Sequence, residues 1–442
     1  MTLYTYLRER AKEHPDRMVR DETRSLTFGE LFKEAEDIGR TLSGRLYGIL
    51  CQSDLDTARL LLACLAAGKT AVPLSARYGA AHVEKIRQAA GLSCILTEEG
   101  PCTVGTPSPD EETLEGIRLI LYTSGTTGTP KGAMLADEGL LVNLIAVEGY
   151  FDIQGQIRIA RPLYHCAVLM GEFFLSLVKG VDIVFDGGGF QPLRLLGAIR
   201  EEKTTVMCGT PTLFYQLCGA ALRRGQVLPL RSAAVSGECM TSSVATRMRE
   251  AMPDTAIYHV YGLTEAGPRV SYLPPALFDK APDSVGTPLP CWEYTIEDGE
   301  LFLLGDSRMK GYYRCPEETK RALGDGWLHT GDMAETDAKG RLYIRSRRDS
   351  LIIRAGINVY PQEIENALRQ EERIVDVMAY GKHDEMVGQH IHLKVVAPGM
   401  TRQELWRLCR QTLSPYQYPD DFEFVESLPR NASGKLLRNG SV

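Results

Sequence analysis

The chain has 442 residues, 44% hydrophobic and 24% charged, enough for about two or three domains and without the bias of a disordered protein. Lys and Arg number 50 against 57 Asp and Glu, a net charge of −7, so no basic surplus argues for nucleic acid or an anionic membrane. The 11 cysteines stand singly, none as C-x-x-C, which suggests neither a zinc site nor a disulfide framework but free thiols in a reducing cytoplasm.

The first residues, MTLYTYLRERAKEHPDR, are charged and carry no apolar leader-like stretch, and no apolar run reaches membrane-spanning length. A cytoplasmic protein without a membrane span is expected. Helical spacing covers 1–20 (Leu3, Tyr6, Leu7, Ala11) and 28–44 (Leu31, Phe32, Ala35, Ile38, Leu42). Short apolar runs then alternate with helical patterns. YGILC at 47–51 precedes a helix near 55–67, AVPL at 71–74 one near 80–90, and SCILT follows at 93–97. The alternation recurs at 181–185, 204–208, 231–235 and 256–260, which predicts βα units and a largely parallel sheet. From about 291 the texture becomes antiparallel strands and turns, and a compact α+β tail follows from about 350. The expected fold is α/β, with layered βα subdomains and an antiparallel β region over 1–348 and a small α+β domain over 349–442. The charged RSRRDS at 345–350 marks the junction.

A strand at Leu119–Leu121 runs into Tyr-Thr-Ser-Gly-Thr-Thr-Gly-Thr-Pro-Lys-Gly at 122–132. Glycines let the backbone approach a polyphosphate, while hydroxyls and amides donate hydrogen bonds to it. It is not a Walker A loop, because Pro130 precedes Lys131 and Gly132, not Ser or Thr, follows it.

These eleven residues resemble, almost letter for letter, the signature loop of the acyl-adenylate-forming superfamily, which includes acyl-CoA synthetases, peptide-synthetase adenylation domains and luciferases. More matches follow in the family's order. Tyr261-Gly262-Leu263-Thr264-Glu265 resembles Y-G-x-T-E, and Thr330-Gly331-Asp332 matches T-G-D. Ser346-Arg347-Arg348-Asp349 resembles G-R-x-D with Ser in the first place, and Pro429 to Lys435 resembles P-R-x-x-S-G-K. Together the blocks span 122–435. Only about 120 residues precede the loop, short for the family, which implies a trimmed N-terminal subdomain.

The resemblance implies an AMP-forming acid–thiol ligase. A carboxylate is a poor acyl donor until attack on the α-phosphate of ATP gives it AMP as leaving group. The barrier is charge development on phosphate oxygens, to be met by positioning and positive charge. Thr123, Ser124, Gly125, Thr126, Thr127, Gly128 and Lys131 are then expected at the β- and γ-phosphates. Thr264 is expected at the α-phosphate, and Glu265 as the Mg²⁺ ligand, a hard cation suited to one carboxylate plus phosphates. Tyr261 stacks on adenine beside the backbone of Gly237 and Glu238. Asp332 accepts from the ribose hydroxyls, with Arg347 donating to the same sugar. Lys435 is the mobile catalytic cation, a point charge on a long stem. A mobile C-terminal domain turns about Asp349, and Gly356 leaves room for the incoming pantetheine thiol.

Arg161 to Ala167 resembles the family's P-x-x-H segment, which puts His165 between the reacting carboxylate and the acyl pocket, with Cys166, Cys208, Gly209 and Gly262 as further walls. Leu163–Leu169 holds no acidic residue to seat an α-ammonium and no Arg or Lys to pair a second carboxylate. An apolar or aromatic monocarboxylate is therefore expected, fatty or benzoate-like. The acceptor is CoA, or alternatively a carrier-protein phosphopantetheine loaded by an aryl-acid adenylating enzyme. A luciferase-like oxygenase lacks a motif that asks for oxygen. An inactive binding homologue would be expected to lose Lys435, Glu265 or the loop, and all are present.

Overall fold

A computed structural model describes residues 1–76, 80–105, 114–123, 130–187, 190–354, 357–384, 387–430 and 436. The chain divides into two compact units. One comprises 1–240, 244–295 and 302–329, and the other 241–243, 296–301 and 330–442.

The larger unit is built on two sheets. The first runs, in spatial order, Gly100–Thr103, Cys94–Thr97, Leu46–Ile49, Thr70–Pro73, Ile117–Thr123, Lys131–Ala136, parallel inside and antiparallel at both edges. The second has nine strands, Thr287–Pro288, Arg269–Leu273, Ala256–Gly262, Ser232–Val235, Val206–Gly209, Gln156–Ile159, Asp182–Phe185, Met18–Arg20, Ser25–Thr27. Its central pairs are parallel. Leu46–Ile49, Thr70–Pro73, Val206–Gly209 and Ser232–Val235 are buried at every position. That is the signature of strands covered on both faces by crossover helices, and it is why they read as short apolar runs without alternation.

Helix boundaries follow local chemistry. The helical pattern expected over 1–20 stops at Lys12, since Pro15 lies just beyond, and Met18–Arg20 becomes a strand parallel to Asp182–Phe185. Phe28–Gly39 starts with a capping box of Thr27 and Glu30 and buries Phe28, Leu31, Phe32 and Ala35. It ends where Gly39 packs on the helix Asp54–Ala66 so closely that a Cβ would lie 2.9 Å from the Ala63 carbonyl oxygen. A π-wound segment, Leu169–Phe174, interrupts the helix over 166–179.

In the smaller unit, Gly388–Val396 pairs antiparallel with Asp376–Asp384 and Ile352–Arg354, and parallel with Asp421–Phe424. Helices Pro361–Leu368 and Arg402–Thr412 contribute Ile364, Leu368, Leu405 and Cys409 to a core shared with Val377, Ile391, Leu393 and Phe422.

Candidate active site

The strand Ile117–Thr123 carries the chain into the phosphate-loop sequence, and Lys131–Ala136 carries it out, with Thr123 paired to Lys131. Ser124, Gly125, Thr126, Thr127 and Gly128 lie outside the described residues, as do Gly356 and Lys435. Lys131 extends its ammonium over the Tyr312 ring, 5.7 Å from the centroid, and the Tyr312 hydroxyl donates to Glu265 Oε1 at 2.8 Å. The peptide N–H of Met309 donates to the Glu265 carbonyl at 2.8 Å. One tyrosine, absent from the sequence reading, thus spans the two motifs assigned to phosphate and metal. Glu265 offers a hard carboxylate to a cation that would draw its other ligands from phosphates and water, which fits Mg²⁺. Among the described residues, no cluster of three or more His, Cys, Asp or Glu forms an all-protein metal cage.

Thr264 and Glu265 sit in a 3₁₀ turn directly after the strand Ala256–Gly262. That strand brings a buried Tyr261 and, at its end, Gly262, where a Cβ would lie 1.8 Å from the Pro268 carbonyl oxygen. The glycine of Y-G-x-T-E is thus required by close backbone approach. Two residues upstream of Tyr261, His259 is 1% exposed and its Nδ1 pairs with the Ser284 carbonyl at 2.8 Å. Burial pushes its pKa down to about 4. At Gly237, φ is +98°, a conformation that favours glycine. The neighbouring Glu238 carboxylate accepts from the Thr212 peptide N–H at 3.1 Å and the Thr212 hydroxyl at 2.6 Å, capping the helix Pro211–Leu222.

In the smaller unit the T-G-D segment is tied down by its own neighbours. Arg347 Nη1 donates to Asp332 Oδ1 at 3.1 Å and to the Thr330 carbonyl at 3.0 Å. The Asp332 peptide donates to the Thr330 hydroxyl at 3.0 Å, and Gly331 N–H to Glu300 Oε1 at 3.0 Å. Glu300 also takes Arg348 at 2.6 Å. Gly331 has φ +68°. Asp349 occupies a 3₁₀ turn at Arg348–Ser350 with its carboxylate 3.9 Å from Arg347 Nε.

His165 is half-buried, 4.1 Å from Tyr164 between ring centroids, and opens the short helical turn at Cys166–Val168. Cys166 and Cys208 are buried, and burial pushes both thiols well above the usual cysteine range, so neither is a nucleophile. Gly209 ends the strand Val206–Gly209, packed against Leu213 and Phe214. No Arg or Lys lies within Leu163–Leu169, as the sequence indicates, but Arg161 stands just before it and Arg269 reaches it from a distant strand. Arg161 Nη2 donates to Glu172 Oε1 at 2.7 Å. Arg269, 2% exposed, stands opposite Gly262 in the sheet and donates to the Ala167 carbonyl at 3.4 Å. Sequence reasoning missed Glu172 and Arg269. The first is hidden in an apolar helix, and the second sits four residues beyond Glu265, past the end of the motif.

Comparison with known proteins places the whole arrangement in context. Residues 7–313 match the AMP-binding enzyme family, and 363–435 match its C-terminal domain. A feruloyl-CoA synthase of Amycolatopsis is 30% identical over 417 residues, covering 86% of this chain and 84% of that protein. A 2-succinylbenzoate–CoA ligase of Bacillus licheniformis is 30% identical, covering 98% of both. The o-succinylbenzoate coenzyme A synthetase of Bacillus subtilis, in complex with ATP and magnesium, superposes with TM-score 0.85 at 26% identity over 98% of each chain.

Proposed function

The chain belongs to the AMP-binding enzyme family, and on that premise we propose that it joins a carboxylic acid to the thiol of CoA through an acyl-adenylate. The observation that supports this reading is the array of Lys131, Tyr312 and Glu265, which gathers a cation and a carboxylate where the phosphate-loop strands end. In the first half-reaction a carboxylate oxygen of the acid attacks the α-phosphorus and pyrophosphate leaves. Mg²⁺, when bound, screens the phosphate charge. Lys131 and the loop Thr123–Gly128 hold the β- and γ-phosphates, and Thr264 the α-phosphate. Tyr261 and the backbone of Gly237 and Glu238 hold adenine; Asp332 and Arg347 hold ribose.

In the second half-reaction the thiol sulfur attacks the acyl carbon, AMP leaves and the thiol proton goes to solvent. Asp349 acts as the hinge and Gly356 as the thiol's passage. The acid has an apolar or aromatic body that packs along His165, Cys166, Cys208, Gly209 and Gly262.

The test separates the halves. Lys435→Ala is expected to lower acid-dependent ATP–pyrophosphate exchange by a factor of about 10² or more, while transfer from a supplied acyl-adenylate persists. Gly356→Leu is expected to do the reverse. Equal loss of both activities in folded Gly356→Leu protein removes the thiol-passage assignment. Running the positive acids with CoA and with a pantetheinylated carrier protein identifies the acceptor.

A further inference from the structure

We propose that the acyl pocket contains an oxygen-recognition subsite formed by Arg161, Glu172, Arg269 and Tyr150, and that the preferred acid carries a second oxygen function accepting hydrogen bonds there. This rests on the adenylation reading above and replaces a plain monocarboxylate with one of defined polarity.

The subsite lies among the segments assigned to the acyl wall. Arg269 faces Gly262 across the sheet and reaches the Ala167 carbonyl. Its guanidinium lies on Gly171, where a Cβ would sit 2.4 Å from Nη2, so a side chain there would push the guanidinium aside. Its backbone is clamped by Asn143, which accepts from the Arg269 N–H at 3.2 Å and donates to its carbonyl at 2.8 Å. Cys208 lies within electrostatic reach of Glu172, Arg161 and Arg269. Tyr150, stacked on Tyr272 with centroids 4.0 Å apart, lies near Arg269 and Cys208.

The donors outnumber the acceptors. Within this cluster, Arg161 Nε, Arg269 Nε and the Tyr150 hydroxyl are buried without a partner, as is the acceptor Glu172 Oε2. Glu172 is 0% exposed and Arg269 is 2% exposed. With Glu172 ionised, two guanidiniums face one carboxylate; with it protonated the imbalance grows. Buried donors left unpaired cost free energy, and a site of this kind rejects an analogue that lacks the complementary oxygen. The complement is a hydroxyl, keto or carboxylate oxygen at the far end of the acid.

The experiment measures pyrophosphate release by the full chain with ATP and Mg²⁺ on matched acids differing only at that end. Para-hydroxycinnamate and para-carboxycinnamate are compared with para-methylcinnamate, and adipate with heptanoate. The oxygen-bearing members are expected to show roughly tenfold or greater kcat/KM. The para-hydroxy and para-carboxy arms separate a neutral acceptor from an anion. Arg269→Met is expected to erase most of the preference by raising the KM of the oxygen-bearing acid, with the KM for ATP unchanged. Glu172→Gln, which removes the internal counter-charge, is expected to move preference severalfold further toward the carboxylate-bearing member. Equal use of the apolar members, or parallel loss on both kinds of acid in Arg269→Met, overturns the subsite alone. No pyrophosphate release with any acid overturns the adenylation reading and the subsite together.

Discussion

Two polar clusters, one in each unit, solve opposite problems. Around Asp332 the groups are mutually bonded: Arg347 holds the carboxylate and the Thr330 carbonyl, and Glu300 takes Gly331 N–H and Arg348. The side chain of Arg347 is 41% exposed, so that ion pair works in high dielectric and adds little stability. Around Arg269 the groups are deep and incompletely bonded. A cluster that is satisfied alone fixes a geometry before ligand arrives. A buried cluster with unpaired donors destabilises the empty protein and gains on binding.

The largest expected effect comes from breaking the buried cluster. Arg161→Met leaves the fully buried Glu172 without its hydrogen-bonded partner and is expected to lower stability by about 3–5 kcal/mol, read from the urea midpoint. The double substitution Arg161→Met with Glu172→Leu is expected to recover much of that loss. His259 sharpens the contrast, as a buried polar group held by backbone carbonyls. Its folded pKa is depressed, so its contribution is present above about pH 6.5 and is lost as pH falls toward 4. The loss reaches about 3 kcal/mol near pH 4. Thermal melts of His259→Gln across that window are expected to show a flatter acid limb than the parent chain.

Gly262→Ala presses a methyl against the Pro268 carbonyl and is expected to cost about 1–3 kcal/mol. It also shifts Arg269, its partner across the strand pair, so the acid preference is expected to change with it. The smallest effect on stability belongs to the outer cluster. Asp332→Ala is expected to change stability by about 1 kcal/mol or less. On the proposed ribose role, it is expected to raise the KM for ATP roughly tenfold and to leave the KM for the acid alone. Calorimetric titration with nucleotide checks this directly.

The same contrast explains what was legible in the sequence. Tyr261–Glu265 and Thr330–Asp332 are contiguous, and their chemistry follows from neighbouring residues in the chain. The fully buried strands were legible as short apolar runs, and the helix Phe28–Gly39 as part of the helical spacing over 28–44. The Arg269 cluster was not legible, because its contacts join residues 102 and 126 positions apart. The Leu163–Leu169 stretch contains no charge, and only tertiary packing brings Arg269 to it. Tyr312 was missed similarly, 47 positions from the Glu265 it touches. The Glu238 side chain was not legible either, since its carboxylate caps a helix start 26 positions away.

The π-wound turn at Leu169–Phe174 behaves as a one-residue insertion in a helix that is otherwise α. An α-helix turns by about 100° per residue, so deleting one position from this segment would wind it tight. The flanking turns would keep their register, and the residues inside the wide turn would be displaced from their present partners. Gly171 would no longer face Arg269 while Glu172 faced Arg161. For anyone aligning or redesigning this chain, the spacing between His165 and Phe174 is therefore a quantity to be counted in whole residues, with no gap allowed to slide through it.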